Sequence, residues 1–395
     1  MSDNNPVRVV EVTTKKELRE FVTYPNKHYG ANPNFVPSFY QDDLADWDKT
    51  KNPAMEYCDA KAFLAYRGDR IVGRIGAILS RKANEKWGTN RMRFSNVDFI
   101  DDPEVSKALF DTVEAWAVEK GCDEVHGPLG FTDLDREGML VDGFNKRSMY
   151  VTYYNPPYYK DHMERLGYGK DIDWVEYMVP VPVPGDPTYL RIHKLAKLVS
   201  KRYNYHEVKI NHYWQFYPYI KKVFNLVNIA YANLYGTVDL SDRQIRKYAR
   251  KFMPLVRADF ISLIEDENNE LVAFGVCAPS MAEALRKHNG RLMPFGWIDI
   301  LKSIKKNDTV DLYLIAVHPD HRNRGLNSIL MNHINDSCNR RGIVQGETGP
   351  MLENNKEILS QWKMFNLKPH KRRRCFIKKV GPAAAASEGP DSATT

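Results

Sequence analysis

The stretch that decides the fold is VDLYLIAV followed by HPDHRNRGLN, residues 310–327. Its first eight residues are mostly apolar and predict a strand, and Pro319 and Gly325 mark a turn before a segment with helical periodicity. Consecutive main-chain N–H groups in such a turn, together with the positive end of a helix dipole, form a concavity that binds anions. The pattern therefore predicts a pyrophosphate site at the strand-to-helix junction.

The same residues resemble the acyl-CoA-binding segment of the GNAT superfamily of N-acetyltransferases. In that family Val-x-Pro is followed, two residues later, by Gln/Arg-x-x-Gly-x-Gly/Ala, and here Val317, Pro319, Arg322 and Gly325 take these places. The resemblance implies acetyl-CoA or another acyl-CoA as co-substrate, with a strand N–H around Ala316 and Val317 polarising the thioester carbonyl. It places the phosphates on the residues Arg322, Asn323, Arg324, Gly325, Leu326 and Asn327, the last of which stands where the family has Gly or Ala.

A second stretch, NKEILSQWKMFNL at 355–367, is similar to the family's pattern of Asn, six residues, Tyr, three residues and Gly-Phe. Asn355 takes the place of the Asn, and the resemblance implies that it contacts the cofactor. Trp362 takes the place of the Tyr, whose hydroxyl protonates the leaving CoA thiolate in many relatives. Because an indole N–H has no usable acidity, the thiolate is left to solvent or to another donor.

The order of elements occurs twice along the chain. Hairpin patterns at 63–79 and 260–277 are each followed by an amphipathic helix pattern that ends at a Gly, at Gly121 and at Gly342. The sequence predicts an α/β protein of two tandem GNAT-like units, each a mixed twisted sheet flanked by helices. The predicted ranges are a degenerate GNAT-like unit at 6–180, a Pro-rich linker at 181–187, an acyl-CoA-binding unit at 188–380 and a disordered tail at 381–395.

The two predicted units differ at the junction that would hold phosphate. The first unit has DFIDDP at 98–103, with acidic residues and no Gly. Like charges would repel a pyrophosphate. We therefore expect that only the second unit binds acyl-CoA.

Transfer of an acyl group to nitrogen needs a base for the amine proton and stabilisation of the oxyanion. Glu347, after the second helix, and Asp311, in the central strand, are the candidate catalytic carboxylates, although a solvated or salt-bridged carboxylate fits both positions. Tyr313 alternates with Asp311 on one face of the strand and is a candidate for the acyl pocket, or a core residue.

The loop at 126–138 contains Asp133, Asp135 and Glu137, which could bind a cationic acceptor at a domain interface. A calcium loop is disfavoured because its twelfth position is Phe144 rather than Glu. Ordinary turn chemistry also explains the Asp and Gly content.

The densest positive cluster, KRRRC at 371–375, alternates its cations between two faces of a strand pattern. It predicts an edge strand protected by charge. The absence of an aromatic ladder beside the cations argues against nucleic acid as a partner.

Composition bounds the remaining possibilities. A chain of 395 residues exceeds one typical core, and its net charge of +7 suits an anionic ligand without requiring one. The apolar runs are far shorter than the roughly 18 residues of a membrane span, and the N-terminus lacks a signal-peptide pattern. Five scattered cysteines show no metal-ligand spacing. We expect a cytoplasmic protein with free thiols, no metal and no membrane partner.

Together these patterns predict an acyl-CoA-dependent N-acyltransferase, most simply one that transfers acetyl from acetyl-CoA to the primary amine of a small molecule or peptide. One alternative is a non-catalytic acyl-CoA-binding or regulatory protein. A second is a tandem relative that transfers aminoacyl groups from charged tRNA.

Overall fold

The computed structural model describes residues 5–210, 212–382 and 384, which divide into two compact units. The first unit contains the chain up to residue 174, residues 289–291 and the chain from residue 371, and the second contains 175–288 and 292–370. These units differ from the predicted ranges at 175–180, 289–291 and 371–380. Of the tail predicted to be disordered, only residues 381, 382 and 384 are among the described residues.

The first unit contains both strands and helices. Its elements are β1 (Val7–Glu11), α1 (Lys15–Tyr29), α2 (Tyr40–Asp46), β2 (Cys58–Arg67), β3 (Arg70–Ser80), α3 (Arg81–Trp87), β4 (Arg91–Phe99), α4 (Pro103–Glu119), β5 (Glu124–Gly127), β6 (Met139–Asp142), α5 (Tyr158–Arg165) and β7 (Gly169–Glu176), and its last strand comes from the end of the chain. The last two residues of β7, 175 and 176, belong to the second unit. The predicted hairpin is present, since β2 and β3 pair antiparallel around a turn in which Gly68 has a φ of 59°.

The last strand of the chain, which we number β15 (Lys371–Lys379), lies inside the first unit's sheet. The sheet order is β1-β2-β3-β4-β5-β15-β7, in which β4 and β5 are parallel. Helix α4 packs on this sheet through Val105, Leu109, Phe110 and Val113, all fully buried.

The position of β15 corrects the prediction of a charge-protected edge strand at 371–374. Lys371 and Arg373 are buried, and the ammonium of Lys371 donates to the carbonyl of Arg147 at 2.9 Å. On the other face, Arg372 and Arg374 both donate to the buried carboxylate of Asp173. The cations are therefore internal partners of this unit rather than a solvated basic patch.

The second unit has a six-stranded sheet covered by helices on both faces. Its elements are β8 (Met178–Pro180), α6 (Pro187–Tyr203), β9 (His206–Glu207), α7 (Tyr217–Ala230), α8 (Asp242–Phe252), β10 (Ile261–Glu265), β11 (Leu271–Pro279), α9 (Ala282–Lys287), α10 (Gly296–Lys305), β12 (Thr309–Val317), α11 (Leu326–Arg341), β13 (Gln345–Thr348), β14 (Met351–Leu352) and α12 (Lys356–Ser360). Short 3₁₀ turns complete it at Tyr213–Phe216, Met253–Leu255, Ala258–Phe260, Pro319–His321 and Gln361–Phe365.

The strands of this sheet run in the order β8-β13-β12-β11-β10-β9, and only β12 and β13 are parallel neighbours. Leu314 and Ala316 of β12 pack with α7 on one face. Val310 and Leu312 pack with Cys338 of α11 on the other face, where α6 also packs against α11. The fold is thus α/β with mixed sheets flanked by helices, as the sequence predicts.

No helix among the described residues has the length and apolar content that crossing a bilayer would require.

Candidate functional site

The central strands of the second unit diverge where a ligand could enter. Strands β12 and β13 pair only from Thr309 opposite Gln345 to Leu312 opposite Thr348. Strand β12 continues to Val317, paired with β11 alone, and no described strand covers its other edge from residue 313 onward. Half of this central strand therefore presents an open edge, and the side chains at 313–315 are only half-buried.

A β-bulge marks the point of divergence. Cys277 lies opposite Leu312 and Val276 lies opposite Leu314, so Tyr313 is the extra residue on β12. Its hydroxyl donates to a carboxylate oxygen of Asp311 at 3.2 Å. The bulge therefore fixes an acid and a phenol at the start of the open edge.

The ladder beyond the bulge determines which amides face the open edge. The amide of His318 donates to the carbonyl of Val272 at 2.8 Å, and antiparallel pairing alternates from there. The main chain of Ala316 therefore faces β11, whereas Ile315 and Val317 face the open edge. In agreement, the carbonyl of Ile315 accepts a bond from the hydroxyl of Tyr231 at 2.8 Å. Of the two predicted positions, Val317 alone presents its amide to the open edge.

After Val317 the chain turns into α11 through two residues with positive φ. Asn323 has a φ of 61° and Gly325 has a φ of 83°. Helix α11 begins at Leu326 without a side-chain cap. Within the described residues, the amides at 323–327 make no hydrogen bond, and the side chain of Asn327 does not bond to them. The predicted anion site therefore has its donors available.

Both the packing around position 325 and its backbone conformation favour glycine there. A Cβ atom at this position would lie 2.9 Å from Cγ2 of Val199 in α6. Because positive φ also disfavours side chains, both conditions require Gly. The predicted role of Gly325 in phosphate approach is thus accompanied by a packing role.

The two arginines of the turn are held by the protein. The guanidinium of Arg322 donates to the carbonyl of Ala230 at 3.0 Å and lies 3.6 Å from the carboxylate of Glu357. The guanidinium of Arg324 donates to the hydroxyl of Tyr205 at 3.4 Å. His321 bonds to the same hydroxyl, and burial, with the nearby charge of Arg324, lowers its pKa. These cations give the turn a positive potential from fixed positions.

The two predicted catalytic carboxylates lie together. Asp311 and Glu347 are directly opposite one another on parallel strands, and both are buried. Because Val310 and Leu312 face α11, Asp311 and Glu347 lie on the face that α7 covers.

Sequence reasoning missed two further members of this cluster, His370 and Glu176. Nε2 of His370 lies 3.2 Å from a carboxylate oxygen of Glu347, and the His370 amide donates to the carbonyl of the buried Glu176 at 2.9 Å. His370 stands within the basic stretch 368–374, and its spacing carries no signal of a partner at position 347. Only the folded chain shows this pairing.

Among the residues that the structure describes, two groups of side chains have donor sets that could hold a metal ion. Ligand atoms of Glu176, Glu347 and His370 lie within 4.8 Å of one another in the second unit, as do those of His126, Asp171 and Cys375 in the first. One imidazole with two carboxylates is a donor set that divalent transition metals accept. Without a metal, the same group can accept and share a proton.

The predicted acceptor carboxylates lie in the first unit, where Asp135 has a structural role. Its carboxylate accepts from the amides of Phe131 and Thr132 at 3.0 and 3.1 Å. Burial, together with the charge of Asp135, raises the pKa of Asp133 to about 6. Burial also raises the pKa of Glu137 well above its ordinary value. The role of these three residues in acceptor binding stays a prediction.

Asn355 caps α12, since its side-chain oxygen accepts from the amide of Ile358 at 3.3 Å.

The buried indole of Trp362 directs its N–H toward the sulfur of Met351 at 3.2 Å. This position therefore supplies no hydroxyl, whereas the phenol of Tyr231 lies at the open edge of β12.

Comparison with known proteins agrees with this geometry. Residues 223–356 match the sequence model of the acetyltransferase (GNAT) family. The second unit carries a GNAT domain. Over 95% of the chain, the fold is similar to a tandem GNAT protein from the clavulanic acid biosynthesis pathway, with a TM-score of 0.55, 12% identity and 99% of that chain covered. A GCN5-related N-acetyltransferase from Sphaerobacter thermophilus gives a TM-score of 0.51 at 10% identity, covering 95% of this chain and 96% of the other.

Two curated proteins are similar along nearly their whole length. Protein YghO of Escherichia coli (strain K12) is 26% identical over 373 residues, which cover 93% of this chain and 94% of that protein. The bacterial ceramide synthase of Caulobacter vibrioides (strain NA1000 / CB15N) is 25% identical over 366 residues, which cover 90% and 93%. The match to the GNAT family model supports an acyltransferase in general terms, and the solved structures show the fold.

Proposed function

We propose that this chain is an N-acyltransferase that uses acyl-CoA and acylates a primary amine in its second unit. The observation that carries the proposal is the run of amides at 323–327, which make no bond within the described residues at the end of a strand with an open edge. Such donors suit a diphosphate, and the edge between the turn and the bulge offers a path for the thioester arm.

The proposed reaction assigns a role to each feature of the open edge. The amine nitrogen attacks the thioester carbonyl, so that a C–N bond forms and the C–S bond breaks. The amides of Ile315 and Val317, which face the edge, stabilise the negative charge on the carbonyl oxygen. The amine proton passes to Glu347, and His370 shares it. The CoA thiolate takes its proton from Tyr231, whose hydroxyl lies at the same edge. Glu347 then releases the amine proton to solvent and Tyr231 takes one back, so that both groups are restored.

The identity of the acyl group is a separate and more specific part of the proposal. Acetyl is the simplest choice, but the name of the Caulobacter relative, a ceramide synthase, favours testing long acyl chains and an amino-alcohol acceptor. The half-buried apolar side chains Leu314 and Ile315 border the path and suit an apolar arm. Acetyl-CoA and palmitoyl-CoA, each offered with short and long-chain primary amines, separate these options.

Glu347→Gln tests the proposed base. Because Gln keeps the shape but accepts no proton, kcat should fall by about 10²- to 10⁴-fold while CoA affinity measured by calorimetry stays near that of the native chain. Glu353→Gln, a change of the same kind outside the cluster, is the matched control. Absence of CoA binding by the native chain would reject the proposal.

A second candidate function, a non-catalytic acyl-CoA-binding protein, is favoured by Trp362, which replaces the family's Tyr. Binding of CoA without turnover of any thioester and amine pair would select this alternative.

A further inference from the structure

The second unit exposes a cluster of apolar side chains that the proposed site does not use. Five of the fifteen large apolar side chains exposed in the described part of the chain fall within ten residues. They are Leu292, Met293, Phe295, Trp297 and Leu301, of which Met293 is 73% exposed and Phe295 67%. A concentration of large exposed apolar side chains in so short a segment is typical of an interaction site rather than of ordinary surface.

The local structure keeps Trp297 and Leu301 exposed. Helix α10 packs into the unit through Ile300 and Ile304, one turn apart, so that Trp297 and Leu301 occupy the neighbouring face. The indole N–H of Trp297 donates to the carbonyl of Pro294 at 3.1 Å. The polar atom of the ring is therefore satisfied by the protein, and its apolar body is presented to the surroundings.

The segment around this cluster is positively charged. Residues 281–309 contain six cationic and three acidic residues. Among the acids, Asp299 is held by Lys287 at 2.6 Å and by His288 at 2.8 Å, and these bonds hold its pKa below the ordinary range. Lys305 and Lys306 follow at the end of α10 and are exposed. Cations therefore border the exposed apolar side chains.

We propose that residues 292–306 dock the protein on the surface of a bilayer that contains anionic lipid. A helix with exposed aromatic and aliphatic side chains beside lysines has the composition of elements that lie in the headgroup region, and it needs no spanning helix. The charge of the segment is complementary to anionic headgroups, and this complementarity selects a bilayer over a neutral apolar partner. The proposal departs from the sequence-based expectation of no membrane partner.

Flotation with vesicles tests this docking independently of acyl transfer. The full chain should float with vesicles of phosphatidylcholine and phosphatidylglycerol in a 7:3 ratio, and much less with phosphatidylcholine alone. Met293→Glu/Phe295→Glu should reduce binding at least about 10-fold, because two apolar contacts become charges. Lys305→Gln/Lys306→Gln should reduce binding to the anionic vesicles about fivefold for each lysine removed, with little effect on neutral vesicles.

The control is Leu198→Glu, which changes a side chain of similar exposure in α6. It should float like the native chain. All variants should keep the native unfolding midpoint and the native turnover of soluble short-chain substrates, so that loss of docking and loss of catalysis are distinguishable.

Three results would overturn the proposal. The native chain could fail to float with either vesicle, the Met293→Glu/Phe295→Glu variant could float as well as the native chain, or the native chain could self-associate through this segment without binding vesicles. The last result would assign the same surface to a second copy of the chain.

Discussion

The two units differ in what occupies the N-terminus of the helix that follows the central strand. In the first unit, the carboxylate of Asp102 accepts from the amide of Glu104 at 2.9 Å, and Pro103 removes a further N–H from the first turn. Asp102 is also bound by Arg67 at 2.7 Å. In the second unit, Gly325 precedes α11 and no side chain caps it.

This difference is the physical reason for expecting one anion site rather than two. A helix N-terminus attracts negative charge, and the first unit satisfies it with a carboxylate from its own chain. A diphosphate there would meet that fixed charge. In the second unit no side chain caps the corresponding helix, which agrees with the expectation that only this unit binds acyl-CoA.

Among the changes that test this comparison, Asn327→Glu has the largest expected effect, because it brings to the second unit the kind of charge that the first unit already has. A carboxylate beside the amides at 323–327 should weaken CoA binding about 10- to 100-fold through repulsion of the phosphates. The same carboxylate at a helix N-terminus should leave stability unchanged or raise it by up to about 1 kcal/mol. Calorimetry with CoA and thermal unfolding measure the two effects.

Because CoA affinity should fall while stability is unchanged or rises, the two measurements distinguish loss of the binding site from loss of the fold. Asn323→Gly is the control, because Gly accepts the positive φ and adds no charge. Native affinity in Asn327→Glu would show that the phosphates do not approach this turn.

The sequence predicts this contrast well because the evidence for it is local. Gly325 and the acidic residues at 98–103 are read directly, and the predicted hairpins and the helix end at Gly342 are confirmed. The placement of β15 was not predictable, because a strand pattern does not indicate which sheet it joins. His370 was missed for the same reason, since its neighbour Glu347 is distant along the chain.

Gly325→Ala examines the geometry of the open turn. Ala at a φ of 83° costs about 1 kcal/mol, and the contact with Val199 adds to it, so we expect a destabilisation of about 1–3 kcal/mol in urea unfolding. In the double variant Gly325→Ala/Val199→Ala the contact is relieved but the backbone cost remains, so the two changes should couple favourably. Additive effects would remove the packing role of Gly325. The corresponding Asp102 of the first unit has a φ of −146° and needs no Gly.

Asp133→Asn tests a second carboxyl group of the first unit. The charged form of this group is disfavoured by burial. Its pKa of about 6 in the folded chain lies above the ordinary value near 3.8, so the folded state holds the proton more tightly. Stability from this group is therefore present at low pH and is lost as pH rises through 6. Asn should raise the free energy of unfolding by about 1–2 kcal/mol at pH 7 and have little effect at pH 4. Equal effects at both pH values would contradict the assignment.

Asp102→Ala has the smallest expected effect, and it tests whether the carboxylate of Asp102 is purely structural. Loss of the cap should destabilise the chain by about 1 kcal/mol, while Arg67 keeps its second partner Glu104 at 2.8 Å. Asp102→Asn retains a capping oxygen and should lose less than the Ala variant. Neither change should alter the number of CoA molecules bound or their affinity in calorimetry, because Pro103 and the acidic turn still disfavour phosphate. A second binding event in Asp102→Ala would show that this one carboxylate, rather than the whole junction, keeps the first unit from binding acyl-CoA.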